Sequence, residues 1–382
     1  MISLNTILKT GFTLLAFAAT PAFAQSNAPT NPAVGDAAHV TYGRDSDMAQ
    51  DQIKSYNAFA GGEKYVEISP EAQVAQMGAG INIAAGWDGY WSGGQTSFKL
   101  SQINKIKEAG FKTIRVPITT FKHMDAQGHL DPALLRKLDD IVEAAIRNKL
   151  NVIIDEHDFD DCAKDADACA VILPNVWYEL SEHYKNAPNN VIFELLNEPH
   201  DKVDDKIWNA WLPDLIAIVR ETNPTRNIIV GPTHWNSLND LPLLKLPEKD
   251  RHIIVTFHYY DPFHFTHQGA SWAGAEVAAL HDIEWKGTPE EVGKINGDFD
   301  KVAAWSKANN RPIFLGEYGT YGKANPRMDE RAAWTRAVSK AADDRGFARA
   351  FWYFSEGPDG FTAYDTAKNQ WVEPIRDALL SK

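Results

Sequence analysis

The 382-residue chain carries 38 Lys and Arg against 51 Asp and Glu, a formal charge of −13. That balance argues against nucleic acid or an anionic membrane as partner, since both need a basic face, and it is compatible with a neutral substrate. The length suits one large domain with loop insertions, although length alone also permits two.

The chain opens MISLNTILKTGFTLLAFAATPAFAQ, with one lysine, an apolar run, and then Ala22-Phe23-Ala24 before Gln25. The run is shorter than the roughly 20 apolar residues a bilayer span needs, and it ends in the small-residue pattern of a cleavage site. A signal peptide over residues 1–24, cleaved after Ala24, is therefore expected, with the mature protein secreted or periplasmic. Residues 25–66, rich in Asn, Ala, Pro, Gly and Asp, lack hydrophobic periodicity and are expected to be a tail or lead-in. A single domain is expected over 67–382.

From Gly78 onward, short apolar runs alternate with amphipathic stretches. The candidate strands are GAGINIA (78–84), TIRVPI (113–118), NVIIDEH (151–157), NVIFELL (190–196), NIIVGP (227–232), HIIVTFH (252–258), PIFLGEY (312–318) and RAFWYFS (349–355). Between them, SFKLSQINKIKEAG ends at a glycine suited to a helix C-cap, DPALLRKLDDIVEAAIRNK opens on an Asp-Pro N-terminus, and DERAAWTRAVSKAADDRG reads as a third helix. Continuously apolar strands alternating with helices indicate a parallel sheet covered by helices. Eight such units predict a closed (β/α)8 TIM barrel. The segment 261–297 is the longest insertion and is expected to overhang the barrel mouth.

Cys162 and Cys169, the only two cysteines, lie seven positions apart in DFDDCAKDADACAV. In an oxidising compartment they are expected to pair. The acidic run around them lacks the glycine and distal glutamate of an EF-hand loop, so a solvated surface loop is expected and a calcium site is not.

A barrel of this kind gathers residues from the C-terminal ends of its strands at one mouth. Those ends carry Arg115, His157, Asn197 with Glu198, His258 with Tyr260, Glu317 and Trp352. A lone histidine or tryptophan is usually just packed, but polar residues at one end of six strands are not needed for a barrel core. Two carboxylates, one protonated and one ionised, are what glycoside hydrolysis requires. Arg115 and Tyr260 are suited to keeping Glu317 ionised, Asn197 to bonding a sugar hydroxyl, and Trp352 to flooring an apolar sugar face. A metal-dependent barrel would want His-x-His on its first strand, which GINIAAGWDGYW lacks. His264 and His267 have zinc-compatible spacing but no evident third ligand. No metal and no cofactor are expected.

The ordered set ELLNEP, FLGEYG, TIRVPI, FHYYDPFHFTHQG and AFWYF, from about Gly78 to Leu380, resembles glycoside hydrolase family 5, the cellulase family of retaining barrel enzymes. The resemblance implies Glu198 as acid/base and Glu317 as nucleophile, with Arg115, His157, Asn197, His258, Tyr260 and Trp352 contacting substrate. Many family members carry a second histidine after the third strand, where this chain has Asp158. The implied activity is a retaining endo-β-1,4-glucanase acting on a β-linked polysaccharide or oligosaccharide as a monomer. With no carbohydrate-binding module in the sequence, soluble glucan is the expected substrate. A β-mannanase or a β-1,3-glucanase stays open within the family, and a non-catalytic carbohydrate-binding protein on the same scaffold stays open outside it. Trp87, Trp91, Trp272 and Trp285 are candidate sugar platforms, each as easily explained by loop packing.

Overall fold

The computed structural model describes residues 65–84, 90–91, 93, 98–357 and 359–380. The expected signal peptide, the tail up to residue 64, and Trp87 lie outside these residues. Strands β1 (Ala79–Asn82), β2 (Thr113–Ile118), β3 (Asn151–Glu156), β4 (Val191–Glu194), β5 (Ile228–Val230), β6 (Ile253–His258), β7 (Ile313–Glu317) and β8 (Ala348–Phe351) pair in chain order. All pairs are parallel, and β8 returns to β1 to close the barrel. Every residue of β2, β3 and β6 is buried, as strands covered on both faces must be. Each expected strand forms; β2 covers all of its expected residues 113–118, and the other seven are shorter than expected.

Among the described residues, eight longer helices accompany them: α1 (Pro70–Met77), α2 (Gln102–Ala109), α3 (Pro132–Arg147), α4 (Ala166–His183), α5 (Asp205–Thr222), α6 (Pro289–Asn309), α7 (Met328–Asp343) and α8 (Glu373–Leu380). Their ends follow local chemistry. Asp131 caps α3 by accepting from the Ala133 N–H at 2.7 Å, with Pro132 in the first turn. Gly110 ends α2 at φ 111°, a conformation open to glycine. Helix α1 was not legible in the sequence. It closes the N-terminal end of the barrel by setting Val74 and Met77 against Ile153, Ile192, Ile229, Ile254 and Phe314. Its buried Gln73 is satisfied from both sides, donating to Asn151 Oδ1 at 3.0 Å and accepting from Asn227 Nδ2 at 3.3 Å.

The structure differs from the expected pattern in three places. Between β5 and β6 the helix is replaced by two short turns, Thr233–Asn236 and Leu238–Leu243; Pro232, Pro242 and Pro247 interrupt any helical run there. The 261–297 overhang is shorter than expected, because Thr288 and Glu291 form a capping box that starts α6 at Pro289. The cysteine segment is not an open loop. A short helix, Phe159–Lys164, meets α4 at Asp165, and the Cys162–Cys169 disulfide joins them with both residues fully buried.

Candidate active site

Arg115 points from β2 into the barrel and is completely buried. A guanidinium has five N–H donors, and here all five are engaged. Nε and Nη2 grip Glu194 at 2.7 and 2.9 Å, and Nη2 also reaches Asn197 Oδ1 at 2.8 Å. Nη1 donates to Asn82 Oδ1 at 2.9 Å and to Glu317 Oε1 at 2.8 Å. Asp155 adds an ion pair at 3.1 Å. The expected contact of Arg115 with substrate does not fit this burial; the residue lies beneath the mouth and orients the groups that line it.

Glu194, Asp155 and Asn82 were missed in the sequence. The signal was there, since a charged residue inside an apolar strand must find a partner. Burial raises the carboxyls of Glu194 and Asp155, the latter to about 7, against the opposing pull of Arg115. Asn82 ties three strands together, with its Nδ2 donating to the carbonyls of Gly316 at 3.1 Å and Phe351 at 3.2 Å.

Above this layer stand the two glutamates. Glu317, ending β7, accepts from Arg115 and from the Tyr260 hydroxyl at 2.9 Å. Burial raises its carboxyl, while His258 and Arg115 draw it down. Glu198 follows β4 at φ 41°, a strained setting for a residue with a Cβ. Its Oε1 lies 2.6 Å from His258 Nδ1, and its side chain keeps 14% exposure toward the cleft. Burial pushes it up to about 8, with Asp160 and Glu194 adding to the rise. Desolvation is the largest of these effects. One ligand atom from each of Glu198, His258 and Glu317 falls within a mutual 4.8 Å, so the two carboxylates face each other closely.

Burial also lowers His258 to about 4 and His157 to about 3, leaving both imidazoles neutral. His157 bonds Asp155 through Nδ1 at 2.7 Å and lies parallel to Trp352, 5.7 Å away at 4°. Asn197 turns its Oδ1 down to Arg115 and so offers its NH2 end to the cleft. Asp158 does not replace a histidine facing the mouth. Its Oδ2 accepts from the backbone of Thr120 at 2.5 Å and Phe121 at 2.8 Å, which pins the turn after β2.

A family model described as Cellulase (glycosyl hydrolase family 5) matches residues 73–357. The chain belongs to glycosyl hydrolase family 5. Endoglucanase H of Acetivibrio thermocellus is 32% identical over 291 residues, covering 75% of this chain but only 30% of that relative. The chain thus spans less than a third of that relative's length. A solved hyperthermophilic endo-beta-1,4-glucanase in complex with substrate superposes with a TM-score of 0.77 at 34% identity, over 82% of this chain and all of that one. Thermotoga maritima Cel5A, solved with mannotriose, gives 0.76 at 29% identity, over 81% of this chain and all of the other.

In this family 5 chain the glutamates stand in a cleft of about 1400 Å³, lined also by His157, Asn197, Tyr260 and Trp352. That exceeds the roughly 300–1,000 Å³ of a small-ligand pocket. Among the candidate platforms, Trp272 lines the cleft at 60% exposure. Trp91 and Trp285 are buried, Trp91 donating to the Pro117 carbonyl at 2.8 Å, and both serve packing. Trp235, not singled out in the sequence, lines the cleft at 49% exposure, stacked on His200 at 4.6 Å. His267 is buried against Phe263, 4.1 Å between ring centres. Among the described residues it joins no cluster of metal-ligating groups.

Proposed function

We propose that the protein is a retaining endo-β-1,4-glucanase, with Glu317 as nucleophile and Glu198 as acid/base. The carrying observation is that one ligand atom from each of Glu198, His258 and Glu317 lies within 4.8 Å of the other two. Retaining enzymes hold their carboxyls about 5–5.5 Å apart, and inverting ones leave about 6.5–9.5 Å for a water. At the closer spacing a carboxylate itself must attack.

The roles follow from the surroundings of each group. Glu317 accepts hydrogen bonds from Arg115 and Tyr260, which favour its anion and aim it. Glu198, raised to about 8 by burial, is protonated at neutral pH and donates that proton to the departing glycosidic oxygen. Glu317 meanwhile bonds the anomeric carbon. Once Glu317 is esterified its charge is gone, and Glu198, now ionised, takes a proton from the water that releases the sugar.

The volume of the cleft and its exposed tryptophans, Trp235 and Trp272, suit a chain of sugars rather than one unit. The solved endo-beta-1,4-glucanase relative supports a β-1,4-glucan substrate. The mannotriose complex of Thermotoga maritima Cel5A favours β-mannan as a second substrate. Export to an oxidising compartment is also proposed, supported by the signal-like N-terminus and the buried disulfide.

Reducing-sugar release from carboxymethylcellulose, barley β-glucan, mannan and laminarin tests the reading, with the anomer first formed identified by proton NMR. Release from β-glucan with retention is expected. Release from none would support a carbohydrate-binding protein instead, and inversion would reassign the glutamates.

A further inference from the structure

The turn after β5 holds three successive non-glycine residues in the left-handed region, His234, Trp235 and Asn236, at φ 52°, 57° and 54°. L-residues visit that region singly, not in runs. The turn is clamped by Asp240, which accepts from Thr233 Oγ1 at 3.2 Å and pairs with His234 Nδ1. Its effect is to send Trp235 out to the cleft and Asn236 inward, fully buried behind His258.

There, Asn236 Nδ2 lies 3.3 Å from His258 Nε2. Two glycines make the space. A Cβ at Gly231 would stand 2.0 Å from Asn236 Oδ1, and one at Gly316 would stand 2.8 Å from His258 Nε2. The buried oxygens behind the ring, Asn236 Oδ1 and Thr256 Oγ1, have no hydrogen-bond partner, so neither accepts a hydrogen bond from an Nε2–H.

A neutral imidazole carries one N–H. With the Asn236 amide donating to Nε2, that N–H sits on Nδ1 and donates to Glu198 Oε1 at 2.6 Å. An oxygen accepting this bond is not the one that carries the acid proton. We infer that Asn236 is a positioning residue that fixes the His258 tautomer and thereby assigns the Glu198 proton to the oxygen not engaged by the histidine. With the opposite tautomer, His258 Nδ1 would accept that proton's hydrogen bond and turn it away from the leaving group. The inference rests on the reading of Glu198 as acid/base.

The test pairs two variants with two kinds of readout. Asn236→Gly removes the donor at a φ that glycine adopts freely, so its melting temperature should equal or exceed that of the unmodified protein. Asn236→Asp places an acceptor at Nε2 and should reverse the tautomer. Long-range nitrogen–proton NMR, with His258 assigned by loss of its signals in His258→Asn, should show Nδ1–H in the unmodified protein and Nε2–H in Asn236→Asp. General acid catalysis contributes roughly 10²–10⁴-fold, so Asn236→Gly should lose about tenfold in kcat/KM on a cellobioside with a poor leaving group. On dinitrophenyl cellobioside, which needs no proton, it should lose less than about threefold. Asn236→Asp should show the same pattern, more strongly. An Nε2–H tautomer in the unmodified protein, or equal losses on both substrates, overturns the inference. Failure of the unmodified protein to cleave either substrate overturns the proposed function instead, and the tautomer remains readable.

Discussion

Arg115 Nη1 donates to Glu317 Oε1 at 2.8 Å from a guanidinium with no exposure at all. The residue that aims the proposed nucleophile therefore never meets the substrate. Arg115→Lys keeps one positive charge but loses the planar fork that serves Glu194, Asn82 and Asn197 together. It should lower kcat by about 10²-fold or more with little change in KM, and cost roughly 3 kcal/mol of stability. Michaelis kinetics and denaturant unfolding check this, and a rise confined to KM would place the guanidinium in contact with sugar. Tyr260→Phe, which removes the other bond to Glu317, should follow the same kcat-dominated pattern.

The two glutamates are distinguishable by azide. Glu198→Ala should still form the glycosyl-enzyme from aryl glycosides whose leaving group needs no proton, and azide should then attack it to give the β-glycosyl azide. Glu317→Ala has no nucleophile, so azide enters the vacated space and gives the α-product. Proton NMR of the products decides, and the same anomer from both variants would show the roles to be wrong.

The raised Glu198 carboxyl has two consequences with pH. In the free protein it must be protonated to act, so kcat/KM should fall as pH rises through about 8. That limb should be absent in Glu198→Ala acting on dinitrophenyl substrates. For stability, a folded pKa of about 8 against an ordinary 4.5 means that the folded state binds this proton more tightly. Its contribution is fully present below about 4.5 and is lost as pH rises through about 8. The gain in melting temperature of Glu198→Gln over the unmodified protein should thus be larger at pH 9 than at pH 5. Equal gains by calorimetry at both would contradict the buried-acid account.

The Cys162–Cys169 disulfide spans a sequence separation of 7. Closing so short a loop is worth about 2–3 kcal/mol in the chain-entropy model. Replacing both cysteines by alanine should cost about that much in urea unfolding, with activity retained because neither cysteine lines the cleft. Free thiols in mass spectra of the unreduced protein would remove the basis for the effect.

What was legible in the sequence is what local pattern encodes. Continuous apolar runs marked the eight strands, and Asp131-Pro132 and Gly110 marked helix ends, because periodicity, capping and φ preference act within a few residues. Glu198 and Glu317 were legible for the same reason, as carboxylates placed just where apolar runs stop. Partnership across the barrel was not. Asp155, Glu194 and Asn82 looked like interruptions in strands until closure brought them around one guanidinium, and Arg115 looked like a cleft residue until that layer covered it. Whether a tryptophan packs or presents a face was likewise decided by what surrounds it, burying Trp91 and Trp285 and exposing Trp272 and Trp235. Asp158, adjacent to His157 in the chain, turned to backbone N–H groups that no local pattern revealed. The left-handed run at His234–Asn236 has no glycine to announce it, since its conformation is imposed by Asp240, Gly231 and His258, which meet only in the closed barrel. Elements were set by nearest neighbours along the chain, and the roles of their side chains by neighbours across the fold.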